Sequence, residues 1–245
     1  MYNKGMNEDT ILHVEKASLA FGKEVVFRDV SFSLKKGEVL AIVGPNGAGK
    51  TMLLKSLLGL VPYSGSIRWK KDIKIGYVPQ HVAIDFALPL TVKEFFALRA
   101  KRFWFTEKKF VSHLDHELKA VGLSHEFLER PLSELSSGQL QRVLIAWSLV
   151  GHPDVLLFDE PTSGIDVGGE ETIYSLLHHL QDEWNIAIII VSHDLHVVYH
   201  YANDVLCLNK EMVCHGAPYD VLTQEQLKKL YGEVSFYHHL KHTQS

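Results

Sequence analysis

One run, Gly44-Pro45-Asn46-Gly47-Ala48-Gly49-Lys50-Thr51, constrains this chain more than any other feature. Five apolar residues, Val39–Val43, precede it. Met52–Leu60 follows, with Leu53, Leu54, Leu57 and Leu58 at helical spacing. The run satisfies G-x-x-x-x-G-K-[ST] at every fixed position, and a strand before it and a helix after it are the context that gives the pattern its meaning. Glycines let successive backbone N–H groups turn inward, and the helix N-terminus adds its positive dipole end, so the loop cradles phosphate oxygens. In that arrangement Lys50 reaches the β- and γ-phosphates of a nucleoside triphosphate and Thr51 ligates Mg2+. Met52, the next residue, is counted with the nucleotide-contacting loop.

A short all-apolar run such as Val39–Val43 marks a strand buried on both faces of a parallel sheet. Val155–Phe158 and Ile186–Val191 repeat the pattern. Val155–Phe158 ends in Asp159-Glu160. Carboxylates at the C-terminal end of such a strand stand at the ligand crevice of an open α/β sheet. Asp159 is therefore expected to hold Mg2+ through water. Glu160 is expected to orient and deprotonate an attacking water.

The rest of the chain fits around this core. Residues 11–36 alternate polar and apolar and read as short antiparallel strands. Lys35–Glu38 and Pro62–Gly65 read as turns, and Ser66–Val78 as strands. From Thr91 to Val150 the apolar spacing becomes helical, so a helical block at about 90–150 is inserted into the core. Thr172–Leu180 reads as a helix, and Val205–Leu208 and Met212–Cys214 as a hairpin about Asn209-Lys210. Leu222–Tyr231 is helical, and a polar tail runs from 236 to 245. The fold class is α/β, and residues 1–245 are read as one domain.

Composition excludes several alternatives. An apolar fraction of 46% and a charged fraction of 22% are those of a globular chain. A net charge of −4 lacks the basic excess of a nucleic-acid binder. No run approaches the 18 or so apolar residues of a membrane helix, and no secretory signal is visible. Two cysteines, Cys207 and Cys214, make no disulfide framework and fit a reducing compartment. The chain is expected in the cytoplasm, against the inner face of the membrane through a partner.

Leu135-Ser136-Ser137-Gly138-Gln139 first reads as a capping box, Ser136 with Gln139, opening an amphipathic helix. The same pentapeptide resembles the signature motif of ABC-type ATPases. From about Ile11 to about Gly232 the chain resembles that family's nucleotide-binding domain: a P-loop ATPase core with an antiparallel β subdomain and an inserted helical subdomain. The resemblance implies an ATPase with ATP and Mg2+ as its cofactors. It makes Gln80, in Tyr77-Val-Pro-Gln80, a Q-loop residue that also approaches Mg2+. It makes Asp166, in Ser163-Gly-Ile-Asp166, part of the D-loop. It makes His193, in Val191-Ser-His193-Asp, a switch histidine at the γ-phosphate. Phe21 stands 23 residues before Gly44, where the family places an aromatic on adenine. Phe offers the π-face that stacking needs. Ser137 replaces the first of the two glycines usual in the signature. The family pairs two domains head to tail, so Ser136, Ser137, Gly138 and Gln139 contact the partner's nucleotide. A homodimer bound to separate permease subunits is expected.

Finer resemblance points to the metal-uptake branch, closest to zinc importers. The residues concerned are Val78-Pro-Gln-His81, Asp85–Val92, Gly164–Gly169, Ser192–His196, Asp204–Asn209 and Cys214-His-Gly216. Manganese and iron importers share much of this pattern, and a periplasmic metal-binding protein is implied indirectly. A soluble ABC ATPase outside transport is the alternative, but such relatives carry two ATPase domains or a long coiled coil. Among the 15 histidines, His178 and His179 read as a solvated helix face. His113 and His116 share an i, i+3 spacing. Cys207, Cys214 and His215 are placed to meet across the hairpin, and His238, His239 and His242 in the tail are candidates for metal sensing. Arg99, Lys101, Arg102, Lys108 and Lys109, interleaved with Phe103, Trp104 and Phe105, suit a protein interface.

Overall fold

The computed structural model describes residues 8–80, 90–99, 107–161 and 167–232. In chain order these form β1 (Thr10–Phe21), β2 (Glu24–Lys35), β3 (Val39–Val43), α1 (Lys50–Leu57), β4 (Ser64–Trp69) and β5 (Ile75–Val78). Next come α2 (Val92–Ala97), α3 (Glu107–Ala120), two short 3-10 turns and α4 (Ser137–Leu149). The remainder is β6 (Val155–Asp159), α5 (Val167–Trp184), β7 (Ala187–Val191), α6 (Leu195–Tyr201), β8 (Asp204–Asn209), β9 (Glu211–Gly216), α7 (Pro218–Val221) and α8 (Gln224–Tyr231).

All five residues of β3, β6 and β7 are buried. Strand side chains alternate between faces, and each face meets its own core. Val39, Ala41, Val43, Leu156, Phe158, Ile188 and Ile190 join the core formed with α2 to α6 and α8. Leu40, Ile42, Val155, Leu157, Ala187, Ile189 and Val191 join the core under α1, β1 and β2. An apolar run without alternation is thus the requirement of a sheet covered on both sides.

One continuous sheet has the order β4-β1-β2-β9-β8-β3-β7-β6-β5. The β8-β3-β7-β6-β5 part is parallel. β4, β1 and β2 are antiparallel, as alternation in residues 11–36 predicts. The two parts meet at β2 and β9, where Arg28 opposes Glu211 in register and forms an ion pair with it. β1 and β2 are longer than the short strands expected, at 12 residues each, because several register shifts bend them without ending the pairing. The turn expected at Pro62–Gly65 is shorter than read, since β4 already begins at Ser64 and pairs it with Ser18. α5 likewise extends beyond the predicted Thr172–Leu180.

The helical block is closed at its base. Thr91 bridges to Pro131, the Val92 N–H donates to the Arg130 carbonyl at 3.0 Å, and the Leu132 N–H donates to the Leu90 carbonyl at 2.9 Å. α3 and α4 pack together, and Leu114, Leu118, Val143 and Ile145 on them are buried in one core. Among the described residues no helix is long and apolar enough to cross a membrane.

Candidate functional site

The loop after β3 is held from behind by the C-terminal hairpin. A Cβ on Gly44 would overlap the Leu208 carbonyl oxygen on β8. The Lys210 N–H, at the hairpin turn, donates to the Ala48 carbonyl at 3.1 Å. On the other side, Gly49 has φ 98°, and a Cβ there would stand 2.8 Å from the Val26 carbonyl oxygen on β2. A side chain at Gly49 would be strained in backbone and in space together. Tyr231 on α8 lies beside the Gly44 backbone, and burial pushes its hydroxyl up to about 12. Sequence reasoning assigned no part in the loop to Leu208, Lys210 or Tyr231. Their contacts span more than 150 residues of chain, and no local pattern encodes them.

Lys50 is the first residue of α1 and is buried. Its ammonium donates to the carbonyl oxygens of Gly44 at 2.7 Å and Pro45 at 3.0 Å. Burial pulls its pKa down, while the carboxylates Glu160 and Asp159 push it back up. The Thr51 hydroxyl donates to Asp159 Oδ1 at 2.9 Å. Burial raises the Asp159 pKa, opposed by that hydrogen bond and reinforced by the Glu160 charge. Tyr77, two residues past the start of β5, is pushed up to about 12 by burial and by Asp159.

Glu160 follows β6 with φ 50°, a left-handed conformation rare for a residue bearing a side chain. Such backbone outliers cluster where a side chain must be aimed. Its N–H donates to the Val191 carbonyl at 3.2 Å, tying it to the end of β7. Its Oε2 accepts from Gln80 Nε2 at 2.6 Å. Lys50, Thr51, Gln80, Asp159 and Glu160 thus converge at the C-terminal ends of β3, β5 and β6. His193 is exposed just beyond β7. Ser192 beside it is buried, its N–H donating to the Ile42 carbonyl and its hydroxyl accepting from the Asp194 N–H at 3.1 Å.

The donor set suits Mg2+. The Thr51 hydroxyl, the Asp159 carboxylate and the Gln80 amide oxygen are hard oxygen ligands. A cation there would offset the buried Asp159 charge.

Two other predicted features stand apart from this cluster. Phe21 ends β1 at the hairpin tip and is 53% exposed. Ser136 caps α4: its hydroxyl accepts from the Gln139 N–H at 3.3 Å, and Gln139 Oε1 accepts from the Ser136 N–H at 3.1 Å. The capping box therefore forms. Ser137 is the first residue of α4 and is exposed, and nothing lies within 4 Å of a Cβ built on Gly138. Asp166 lies outside the described residues.

The other candidate ligands come out differently. Cys214 and His215 are consecutive on β9, so their side chains take opposite faces. Cys207 and Cys214 are directly opposed, with Cα atoms 4.9 Å apart, and their sulfurs are joined, in place of the free thiols expected. His215 Nε2 instead faces Asp204 Oδ2 at 2.9 Å, and that hydrogen bond holds the imidazole pKa up. A thiol–imidazole site is therefore not assembled. His178 and His179 are more than half exposed and face Asp182 and Glu183, the solvated face expected. His116 stacks on Trp184 at 5.8 Å between ring centroids. The His113 side chain and the tail histidines lie outside the described residues. Arg99, half-buried, lies over the Trp147 ring at 4.8 Å and donates to the Trp147 carbonyl. The side chains of the other residues in that basic and aromatic run lie outside the described residues.

Residues 27–163 match the family described as ABC transporter. The chain is 41% identical over 227 residues to the Zinc import ATP-binding protein ZnuC of Yersinia enterocolitica, covering 91% of this chain and 86% of the relative. It is 37% identical over 235 residues to the protein of the same name from Ehrlichia chaffeensis, covering 96% and 95%. Among solved structures, cbiO1 from Clostridium perfringens, part of the ABC transporter complex cbiONQ, superposes with a TM-score of 0.78 at 30% identity, covering 96% of this chain and 100% of that one. A bacterial ABC transporter cassette in dimeric form superposes with a TM-score of 0.71 at 26% identity, covering 85% and 99%.

Proposed function

The chain belongs to the ABC transporter family, and on that premise we propose that it is the ATP-hydrolysing subunit of an importer for zinc, working through a separate membrane permease. The observation that carries the reading is the convergence of two hydrogen-bonded pairs, Thr51 with Asp159 and Gln80 with Glu160, beside the buried Lys50. The zinc import relatives support the cargo. Residues 1–245 act as one nucleotide-binding unit in this reading, paired with a second copy and peripheral to the membrane at its cytoplasmic face. A periplasmic metal-binding protein is an indirect partner, and nucleic acid is not one.

The phosphates of ATP enter the loop from Gly44 to Thr51, met by its N–H groups and the dipole end of α1. Lys50 exchanges its two neutral carbonyl acceptors for charged phosphate oxygens, a stronger pairing. Thr51, Asp159 and Gln80 would hold Mg2+, which would supply charge neutralisation on the phosphate oxygens when bound. Phe21 offers its ring to the adenine. Glu160, aimed by its strained backbone, orients a water for in-line attack and takes its proton as the new P–O bond forms. The bond from the γ-phosphorus to the ADP oxygen breaks at the same time. His193 donates to the γ-phosphate from the end of β7. Ser136, Ser137, Gly138, Gln139 and Asp166 act across the dimer on the partner's nucleotide. The Gln80–Glu160 hydrogen bond gives the state of the nucleotide a direct line to the Q-loop, and through it to the permease.

A strain lacking this chain tests the reading. The wild-type chain is expected to restore growth in zinc-poor medium, and Glu160→Gln to fail. Added zinc should restore growth both to the deletion strain and to the strain carrying Glu160→Gln. Rescue by manganese or iron in place of zinc would overturn the cargo, and growth supported by Glu160→Gln would overturn the base.

A further inference from the structure

Two exposed imidazoles on α6 lie face to face. His196 and His200 are one turn apart, with ring centroids separated by 4.3 Å and planes 30° from parallel. Residues at i and i+4 share a helix face, and two histidines at that spacing ligate zinc in known helical sites. Zn–N bonds of about 2.0–2.1 Å at a tetrahedral angle put two nitrogens about 3.4 Å apart. The two ring planes, 30° from parallel, must open for both lone pairs to meet one ion, and the exposed His196 ring can turn about its side-chain torsions to do so.

A second observation concerns the proton. Nδ1 of His200 stands 3.2 Å from the His196 backbone carbonyl oxygen. A carbonyl oxygen only accepts, so Nδ1 carries the hydrogen and donates it. The neutral ring then keeps its lone pair on Nε2. A backbone hydrogen bond on one nitrogen that leaves the other as ligand is the usual way a metal-binding imidazole is oriented.

The helix itself is well anchored. Asp194 Oδ1 caps it by accepting from the His196 N–H at 2.8 Å. Val197 and Val198 are buried, and the Tyr199 hydroxyl donates to the Leu222 carbonyl at 3.0 Å. The two imidazoles are therefore presented on a fixed support, so little freedom is lost when they chelate.

We propose that His196 and His200 form an open two-imidazole site for a borderline divalent cation, Zn2+, Ni2+ or Cu2+, with water completing the coordination. Imidazole selects these ions over Mg2+ and Ca2+, which take oxygen. Among the described residues no group of three or more His, Cys, Asp or Glu is placed to hold a metal. The site is accordingly an exchangeable one and not a structural cage. It lies on the helix that begins just after His193, so an occupying cation sits next to the segment that senses the γ-phosphate. The site does not depend on the transported cargo being zinc.

The test is a titration of the full chain, with its histidine rings isotopically labelled, by Zn2+ alone and by Mg2+ alone, followed by NMR. Signals are assigned from His196→Gln and His200→Gln. Zn2+ is expected to shift both rings together with a single affinity, and Mg2+ to shift neither. His200→Gln should weaken the response of His196 at least tenfold. His196→Gln keeps the backbone carbonyl that His200 uses and removes the other ligand, so it should weaken the response of His200 equally. Rings that stay unmoved while other histidines saturate would overturn the site. So would a His196 response in His200→Gln at the wild-type affinity.

Discussion

The phosphate loop and the start of α4 are both glycine-bearing turns that open a helix, yet the molecule supports them in opposite ways. Gly44 and Gly49 are required by their own chain, through Leu208 on one side and Val26 on the other. Gly138 has open space around it, and its turn is held by the local capping box of Ser136 and Gln139. Gly138 is thus under no packing demand from its own chain, and in the proposed reading its turn faces the partner's nucleotide.

Substitutions can break or sharpen that contrast. The largest effect is expected at the phosphate site: Glu160→Gln should lower the ATPase rate about 10²–10⁴-fold, measured as phosphate release at saturating ATP. Next is the helical block, where Glu117 is buried on α3 and its carboxyl is raised to about 7 by desolvation. A raised folded pKa means that the unfolded chain releases its proton first. Stability is then fullest below the ordinary carboxylate range and falls as pH rises to about 7, by about 3 kcal/mol. Chemical denaturation at pH 5 and 7.5 should show that fall, and Glu117→Gln should flatten it.

Smaller still, Gly49→Ala should cost about 1–3 kcal/mol of folding stability, seen as a lower Tm. Gly138→Ala should stay within about 0.5 kcal/mol of wild type, while slowing ATP hydrolysis by about tenfold or more through misplacement across the dimer. Equal Tm losses in the two variants would erase the difference between the two turns. Ser136→Ala should lower Tm through loss of a cap worth about 1 kcal/mol.

Much of this was legible in the amino-acid order because it is encoded locally. Val39–Val43 announces its doubly buried strand, Gly44–Thr51 its loop, and Ser136 with Gln139 its cap. What could not be read is set by distant contacts. Ser64 sits in an expected turn, yet joins β4 because Ser18 is there to pair with it. Cys207 and Cys214 face each other because a two-strand register places them so. The pairing of Gln80 with Glu160 needs the fold, since 80 residues separate them. His200 stood out in no motif, because its meaning depends on a carbonyl one turn back.

The support of the phosphate loop by β8 and the hairpin turn has a consequence for how the protein is made. During synthesis the glycine-rich run leaves the ribosome long before Leu208 and Lys210, which complete its backing. Long-range pairings of this kind close late. A nascent chain halted before residue 210 carries the whole phosphate-binding sequence but lacks the wall behind it. Nucleotide capture is therefore expected to wait until Leu208 and Lys210 have emerged and closed that wall.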